Sequence, residues 1–316
     1  MENSNCSRRS FLLTVPYVAG VTWLMQAETS AHAQTVPWST GTEKPKIKMP
    51  HNATDCHHHI YDPQHFPYDP NAGLKPGPAL IADYRLLQKR IGMKRHVIVQ
   101  PSTYGVDNSC VVDALQKFGK EARGVAVVNT SVSDAELKKL NAAGVKGLRF
   151  NMVQAGATTW DMVETLAKRI APMGWHIQVH ALGDQIVASK DVLNRVACDV
   201  VFDHLGRLPQ PQGTNHPAFA IICGMMQKGK AWVKLSGAYQ DSKIGPPTYA
   251  DTIPLAQAYV KAAPERLVWG SDWPHPTEQG VKPNDAILAD LLLQWVPDEA
   301  TRKRVLVDNP AKLYRF

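Results

Sequence analysis

Asp55-Cys56-His57-His58-His59-Ile60-Tyr61 opens the regular pattern of this chain and decides how the rest is read. It is a short β-rich run, and side chains alternate along a strand, so His57 and His59 share one face while His58 points to the other. An open doubly wound sheet built for a nucleotide would carry a glycine-rich phosphate loop directly after its first strand. Three consecutive histidines stand there instead. Seven further β-rich runs follow at residues 96–100, 124–129, 145–151, 176–181, 200–204, 231–236 and 267–272. Amphipathic stretches suited to helices lie at 80–91, 108–118, 134–143, 160–173, 184–196, 218–228, 250–262 and 284–295. Ser133 and Asp134 ahead of Glu136 mark a helix start, and Gly144, Gly174 and Gly229 mark helix stops. Eight βα repeats across residues 53–316 predict an α/β fold of one domain, the (β/α)8 TIM barrel, whose usual size is about 250 residues. The doubly wound sheet is the weaker alternative.

Composition agrees with a globular protein. The 316 residues are 44% hydrophobic and 20% charged, and five cysteines are too few for a disulfide-stapled scaffold. Lys and Arg number 35 against 28 Asp and Glu, a formal charge of +7. No basic stripe accompanies it, so no nucleic-acid partner is expected.

Residues 1–33 read as a bacterial twin-arginine signal peptide: Ser7-Arg8-Arg9-Ser10-Phe11-Leu12-Leu13 precedes an apolar run to Met25, and Ala31-His32-Ala33 offers a small-residue cleavage site. That run is shorter than the roughly 20 residues of a membrane span, so cleavage after Ala33 is expected rather than a lasting anchor. The expectation is therefore a periplasmic protein, a partner of the twin-arginine export machinery, with no stable membrane association afterwards. Residues 34–52 lack periodicity and suit a linker or an arm on the surface. Cys56, Cys110, Cys198 and Cys223 stay in the mature chain, and their pairing is left open.

Each run ends in a polar residue that an apolar interior does not call for: His59, Gln100, Asn129, Arg149, His180, His204, Ser236 and Asp272. Strand C-termini form the active-site face of such barrels. His57, His59 and His180 as nitrogen ligands, with Asp272 as fourth ligand or as base to a bound water, make a natural set for Zn²⁺. A hydrogen-bonded histidine network without metal is the other reading.

These residues resemble the amidohydrolase superfamily, in particular its branch of 2-pyrone-4,6-dicarboxylate, sugar and muconate lactonases. The marks are Asp55-Cys56-His57-His58-His59, Val99-Gln100-Pro101-Ser102, Gly147-Leu148-Arg149-Phe150-Asn151, Phe202-Asp203-His204-Leu205-Gly206-Arg207, Trp269-Gly270-Ser271-Asp272-Trp273-Pro274-His275-Pro276 and Asp308-Asn309-Pro310. The resemblance implies a barrel, a site that hydrolyses a carbonyl compound, and a last-strand aspartate that activates water. Where the dicarboxylate lactonase grips a second carboxylate, this chain offers Lys75, Ala155, His180 and Tyr239 or Gln240. His180 restores a ligand position that the metal-free lactonase lacks, which favours zinc.

The expected reaction is hydrolysis of a small-molecule lactone with an anionic substituent. Asp272 is the expected general base, and His204 the donor to the carbonyl oxygen. Arg149 is placed on the anion, with a structural salt bridge as its bland role, and Ser102, Tyr104 and Tyr239 are substrate-contact candidates. His275, Trp269 and Trp273 read as rim and packing residues. A lactone isomerase or decarboxylase is the alternative chemistry, and a periplasmic binding protein on a degraded enzyme fold the alternative class.

Overall fold

Eight parallel strands follow one another in the computed structural model: β1 Thr54–His58, β2 Arg95–Val99, β3 Ala122–Ala126, β4 Val145–Asn151, β5 His176–His180, β6 Val200–Phe202, β7 Ala231–Leu235 and β8 Leu267–Trp269. Each pairs with the next in chain order. The described residues are 1–2, 35–154 and 156–316, so Arg8, Arg9, the apolar run, the cleavage point after Ala33 and the departure at Ala155 lie outside them. Among the described residues no helix is long and apolar enough to cross a membrane.

The strands form a (β/α)8 barrel whose β8–β1 seam closes just beyond β8. The amide of Asp272 donates to the His57 carbonyl at 2.8 Å, and the amide of His59 to the Trp273 carbonyl at 2.9 Å. Beneath them, the Asp55 carboxylate accepts from the Ser271 amide and hydroxyl at 2.9 and 2.6 Å and from the Tyr84 hydroxyl at 3.0 Å. Burial pushes the Asp55 carboxyl up to about 6 even against these donors.

Most strands stop before the sequence runs do, because β geometry ends where polar loop chemistry begins, whereas β4 spans its whole run to Asn151. His59 and Asp272 therefore sit on the loops that leave β1 and β8. The helices packed outside are α1 Ile81–Ile91, α2 Ser109–Phe118, α3 Asp134–Ala143, α4 Trp160–Ile170, α5 Gly183–Ala188, α6 Lys190–Arg195, α7 Pro217–Gln227, α8 Ala238–Asp241, α9 Ile253–Ala262, α10 Asp285–Asp290 and α11 Leu292–Trp295. The Ser133 side chain caps α3 by accepting from the Glu136 amide, as its sequence position suggests.

Four of the predicted helices need correction: 250–262 starts as a 3₁₀ turn at Ala250–Thr252, 284–295 divides at Leu291, and two others change within their length. The stretch 184–196 is broken at Ser189, a residue type that favours helix ends and here has φ −103° and ψ 13°. The stretch 160–173 tightens to a 3₁₀ turn at Ala171–Met173, where Pro172 has no amide proton to continue the α pattern.

Apolar side chains pack between barrel and helices, among them Leu87, Val111, Leu140, Leu166, Ile222 and Leu292. A second cluster of Val97, Val99, Val125, Val201, Trp232 and Val268 adjoins Tyr314, near the C-terminus of the chain. Cys56, Cys110, Cys198 and Cys223 are free thiols.

Residues 35–52 lie along the barrel, with Val36 and Ile47 buried. The Pro37 carbonyl accepts from the Trp273 indole at 2.8 Å, the Gly41 carbonyl from the Arg90 guanidinium at 2.7 Å, and the Ser39 hydroxyl from the Asp285 amide at 3.2 Å.

Candidate active site

His57, His59, His204 and Asp272 meet at the C-terminal mouth of the barrel. His57 and His59 arrive on one face of β1 and its exit loop, while His58 turns outward and stacks on Tyr84 with ring centroids 3.5 Å apart. Asp272 holds φ 66° and His204 holds φ 49° in a left-handed run that continues through Arg207. Such backbone is costly for most side chains and is retained where it aims a group. Two glycines clear the space. A Cβ on Gly270 would come within 2.9 Å of the His57 backbone nitrogen, and one on Gly237, at φ 61°, within 2.8 Å of His204 Nδ1.

Three imidazoles point Nε2 at one oxygen. Asp272 Oδ1 lies 3.5 Å from His57 Nε2, 3.7 Å from His59 Nε2 and 3.7 Å from His204 Nε2, and the first two nitrogens are 3.3 Å apart. Each ring is fixed from behind. His59 Nδ1 donates to the Val99 carbonyl at 2.7 Å, which leaves its Nε2 a lone pair, and His204 Nδ1 meets the Ser236 hydroxyl at 2.9 Å. His57 Nδ1 has an acceptor and a donor at equal range, Asp203 Oδ1 and Lys234 Nζ, both at 3.3 Å.

The charges follow from burial and neighbours. Burial alone would raise Asp272, but His204, His59 and His57 outweigh it and hold the carboxyl well below the usual range. Burial drives His57 and His180 well below the ordinary imidazole value and lowers His204. Asp272 is thus a carboxylate beside His57 and His204, whose burial disfavours the imidazolium form. Because the carboxyl is depressed, its basic form persists as pH falls. The acid limb of kcat is therefore expected below about pH 4, the ordinary carboxylate value. A pH–rate profile checks this, and an acid limb near pH 6 would contradict it.

The structure sorts the remaining candidates. Arg149, Ser102 and His180 line the cavity above Asp272 together with Gln240, His204 and Thr103. Arg149 is 5% exposed, with Nη1 donating to the Gln100 carbonyl at 3.4 Å and Nε 3.5 Å from Asp203 Oδ2 without a hydrogen bond. Ser102 accepts from the Asn151 amide at 2.7 Å. His180 stands apart from that cluster: its Nε2 is engaged by the Arg207 guanidinium at 2.8 Å, Asp241 holds Arg207 in turn at 2.7 Å, and its buried Nδ1 has no partner among the described residues. While Nε2 accepts from the guanidinium, that nitrogen is turned away from Asp272 chemistry and towards Arg207.

Neither tyrosine lines the cavity. The Tyr104 hydroxyl accepts from the Asp62 amide at 2.8 Å, a loop-holding role, while the Tyr239 hydroxyl donates to Asp272 Oδ2 at 2.5 Å. The Gln240 amide reaches that same oxygen at 2.9 Å. Asn129 stays outside and caps its own loop by accepting from the Ser131 amide.

Sequence reasoning passed over a buried polar layer directly below. Lys234, fully buried on β7, donates to the Cys56 carbonyl at 2.9 Å and to Gln178 Oε1 at 2.7 Å, and stands 3.4 Å from Asp203 Oδ1. Gln178 returns a donor to Asp203 Oδ2 at 3.1 Å. A lysine inside the apolar run Ala231-Trp232-Val233-Lys234-Leu235 was the available signal, since a buried ammonium needs partners.

The amidohydrolase family model matches residues 54–316, the whole barrel. The chain belongs to the amidohydrolase family. It is similar to 2-pyrone-4,6-dicarboxylate hydrolase of Comamonas testosteroni, 35% identical over 88% of this chain and 94% of the relative. It is also 32% identical to D-galactarolactone isomerase of Agrobacterium fabrum, over 86% of this chain and 94% of the relative. A crystal structure from Agrobacterium tumefaciens superposes with TM-score 0.81 at 32% identity, covering 88% of this chain and 98% of that one. The amidohydrolase fold, the lactonase-like branch and the presence of an enzyme rather than an inert binding protein are thereby established.

Members of the amidohydrolase family are generally metal-dependent, and the donors present fit a metal. The separations of 3.3, 3.5 and 3.7 Å among His57 Nε2, His59 Nε2 and Asp272 Oδ1 suit three ligands each about 2.0–2.1 Å from one ion. Backing of His57 Nδ1 by the Asp203 carboxylate is the usual support for such a ligand.

Proposed function

We propose that this amidohydrolase opens a lactone bearing an anionic substituent by hydrolysis, with Asp272 as general base. The observation that carries the reading is the pairing, in one cavity, of a carboxylate oxygen faced by three imidazole Nε2 atoms with an arginine whose donors are mostly unused. The lactone relatives support the substrate class.

A water beside Asp272 Oδ1 gives up a proton to it as the water oxygen attacks the lactone carbonyl carbon. When the ring C–O bond breaks, the leaving alkoxide takes that proton back, and a hydroxy acid results. With the Ser236 hydroxyl donating to its Nδ1, His204 presents Nε2–H to the oxyanion. Arg149 orients the substrate through its anionic group.

Zn²⁺ is the metal we propose for His57, His59 and Asp272; when bound it supplies a Lewis acid for the carbonyl and lowers the pKa of water. Lys234 favours a second, metal-free reading. If the ammonium donates to His57 Nδ1, that ring carries its proton on Nε2 and gives it to His59 Nε2, 3.3 Å away. Elemental analysis of purified protein, followed by chelation and zinc restoration, separates the two.

Hydrolysis and isomerisation differ in the fate of water. Turnover in ¹⁸O-labelled water of a panel of muconolactones, pyrones and aldonolactones is expected to place one solvent oxygen in the product carboxylate. Turnover without label would assign an isomerase, for which the galactarolactone relative is the precedent. The pair Arg8-Arg9 and the Ala31-His32-Ala33 site support placement in the periplasm.

A further inference from the structure

The second oxygen of Asp272 is fully engaged, and what engages it leads away from the cavity. Oδ2 accepts from the Tyr239 hydroxyl at 2.5 Å and from the Gln240 amide at 2.9 Å, both delivered by the single turn α8. A phenol has one proton. Donating it to Asp272, Tyr239 must receive at its oxygen, and His275 Nδ1 stands there at 3.1 Å. The opposite nitrogen of that ring, Nε2, lies 3.2 Å from Asp285 Oδ2. His275 and Asp285 are both entirely buried. Asp285 opens α10, and its amide donates to the Ser39 hydroxyl, on which the Arg90 guanidinium also converges.

We propose that Tyr239, His275 and Asp285 form a positioning chain for Asp272, anchored on the segment around Ser39, that occupies Oδ2 so that Oδ1 is the oxygen offered to water and the imidazoles. The proposal rests on the reading of Asp272 as the base. None of the three residues lines the substrate cavity. They act through the carboxylate, and a loss of registry of about 1 Å at a reacting group costs about 100-fold in rate. His275 adopts φ 55°, a conformation that keeps its ring between Tyr239 and Asp285.

The test is a coupling measurement on the full chain, with whichever muconolactone, pyrone or aldonolactone of the panel the wild type turns over fastest. Tyr239→Phe should lower kcat about 100-fold with KM almost unmoved. Asp285→Leu should lower kcat less, and the double variant should be no slower than Tyr239→Phe alone, because both break one chain. His275→Asn, which keeps an N–H near the position of Nδ1, should retain more kcat than His275→Ala. Melting temperatures identify any variant that fails to fold, and Asp285→Asn then replaces Asp285→Leu. Unchanged kcat in Tyr239→Phe, or losses that multiply in the double variant, would overturn the chain. Asp272→Asn separates the two levels. If it is inactive while Tyr239→Phe is not impaired, only the chain fails; if it is active, the assignment of the base fails first.

Discussion

Asp272→Asn is expected to lower kcat by about 1,000-fold or more, within the range for loss of a general base, while the barrel keeps its melting temperature. The substitution is nearly isosteric, and asparagine tolerates the left-handed φ of 66° at this position. It still offers an oxygen to the Tyr239 hydroxyl, and its backbone amide still donates to the His57 carbonyl. What it lacks is a lone pair basic enough to take a proton from water. Steady-state kinetics with a melting curve read both quantities. Substantial surviving turnover in a folded variant would refute the role, since among the described residues no other carboxylate lines the cavity.

Arg149→Met is expected to lower kcat/KM for an anionic lactone about 100-fold and to leave a neutral analogue, such as its methyl ester, nearly unaffected. Charge-assisted hydrogen bonds contribute about 1.5–3 kcal/mol, and each 1.4 kcal/mol is tenfold in binding. Arg149→Lys should fall between, since a lysine keeps the charge and loses the planar fork. The salt-bridge role predicts something else: equal losses on both substrates and a lower melting temperature, because Asp203 would lose a neighbour 3.5 Å away. Comparing the two substrates across the three proteins decides between them.

The sequence was most readable where chemistry and local geometry coincide. The spacing of His57 and His59, the polar strand ends and the βα alternation are all short-range patterns, and the barrel follows from them. For His180, strand position shows which way the ring faces but not what occupies its nitrogen. Arg207, 27 residues away, takes that nitrogen through a left-handed loop that no pattern announced. The bond of Tyr239 is equally hidden in the sequence, since its partner Asp272 lies 33 residues on. The Lys234–Gln178–Asp203 layer stayed hidden for a different reason. In strands buried on both faces periodicity carries little information, and polar residues there show themselves only by being out of place.

The segment spanning Val36 to Gly41 touches three separated parts of the chain: Trp273 beside Asp272, Asp285 and Arg90. It contributes no strand, yet it buckles the loop after β8 to α1 and α10 much as a hasp holds a hinge shut. A shortened version of this enzyme starting at Ala53 would retain all eight strands and every imidazole of the mouth, and would nonetheless leave the loop that carries Asp272 unfastened on its outer side. Residues that add nothing to the barrel wall thus help to hold the rim on which Asp272 sits.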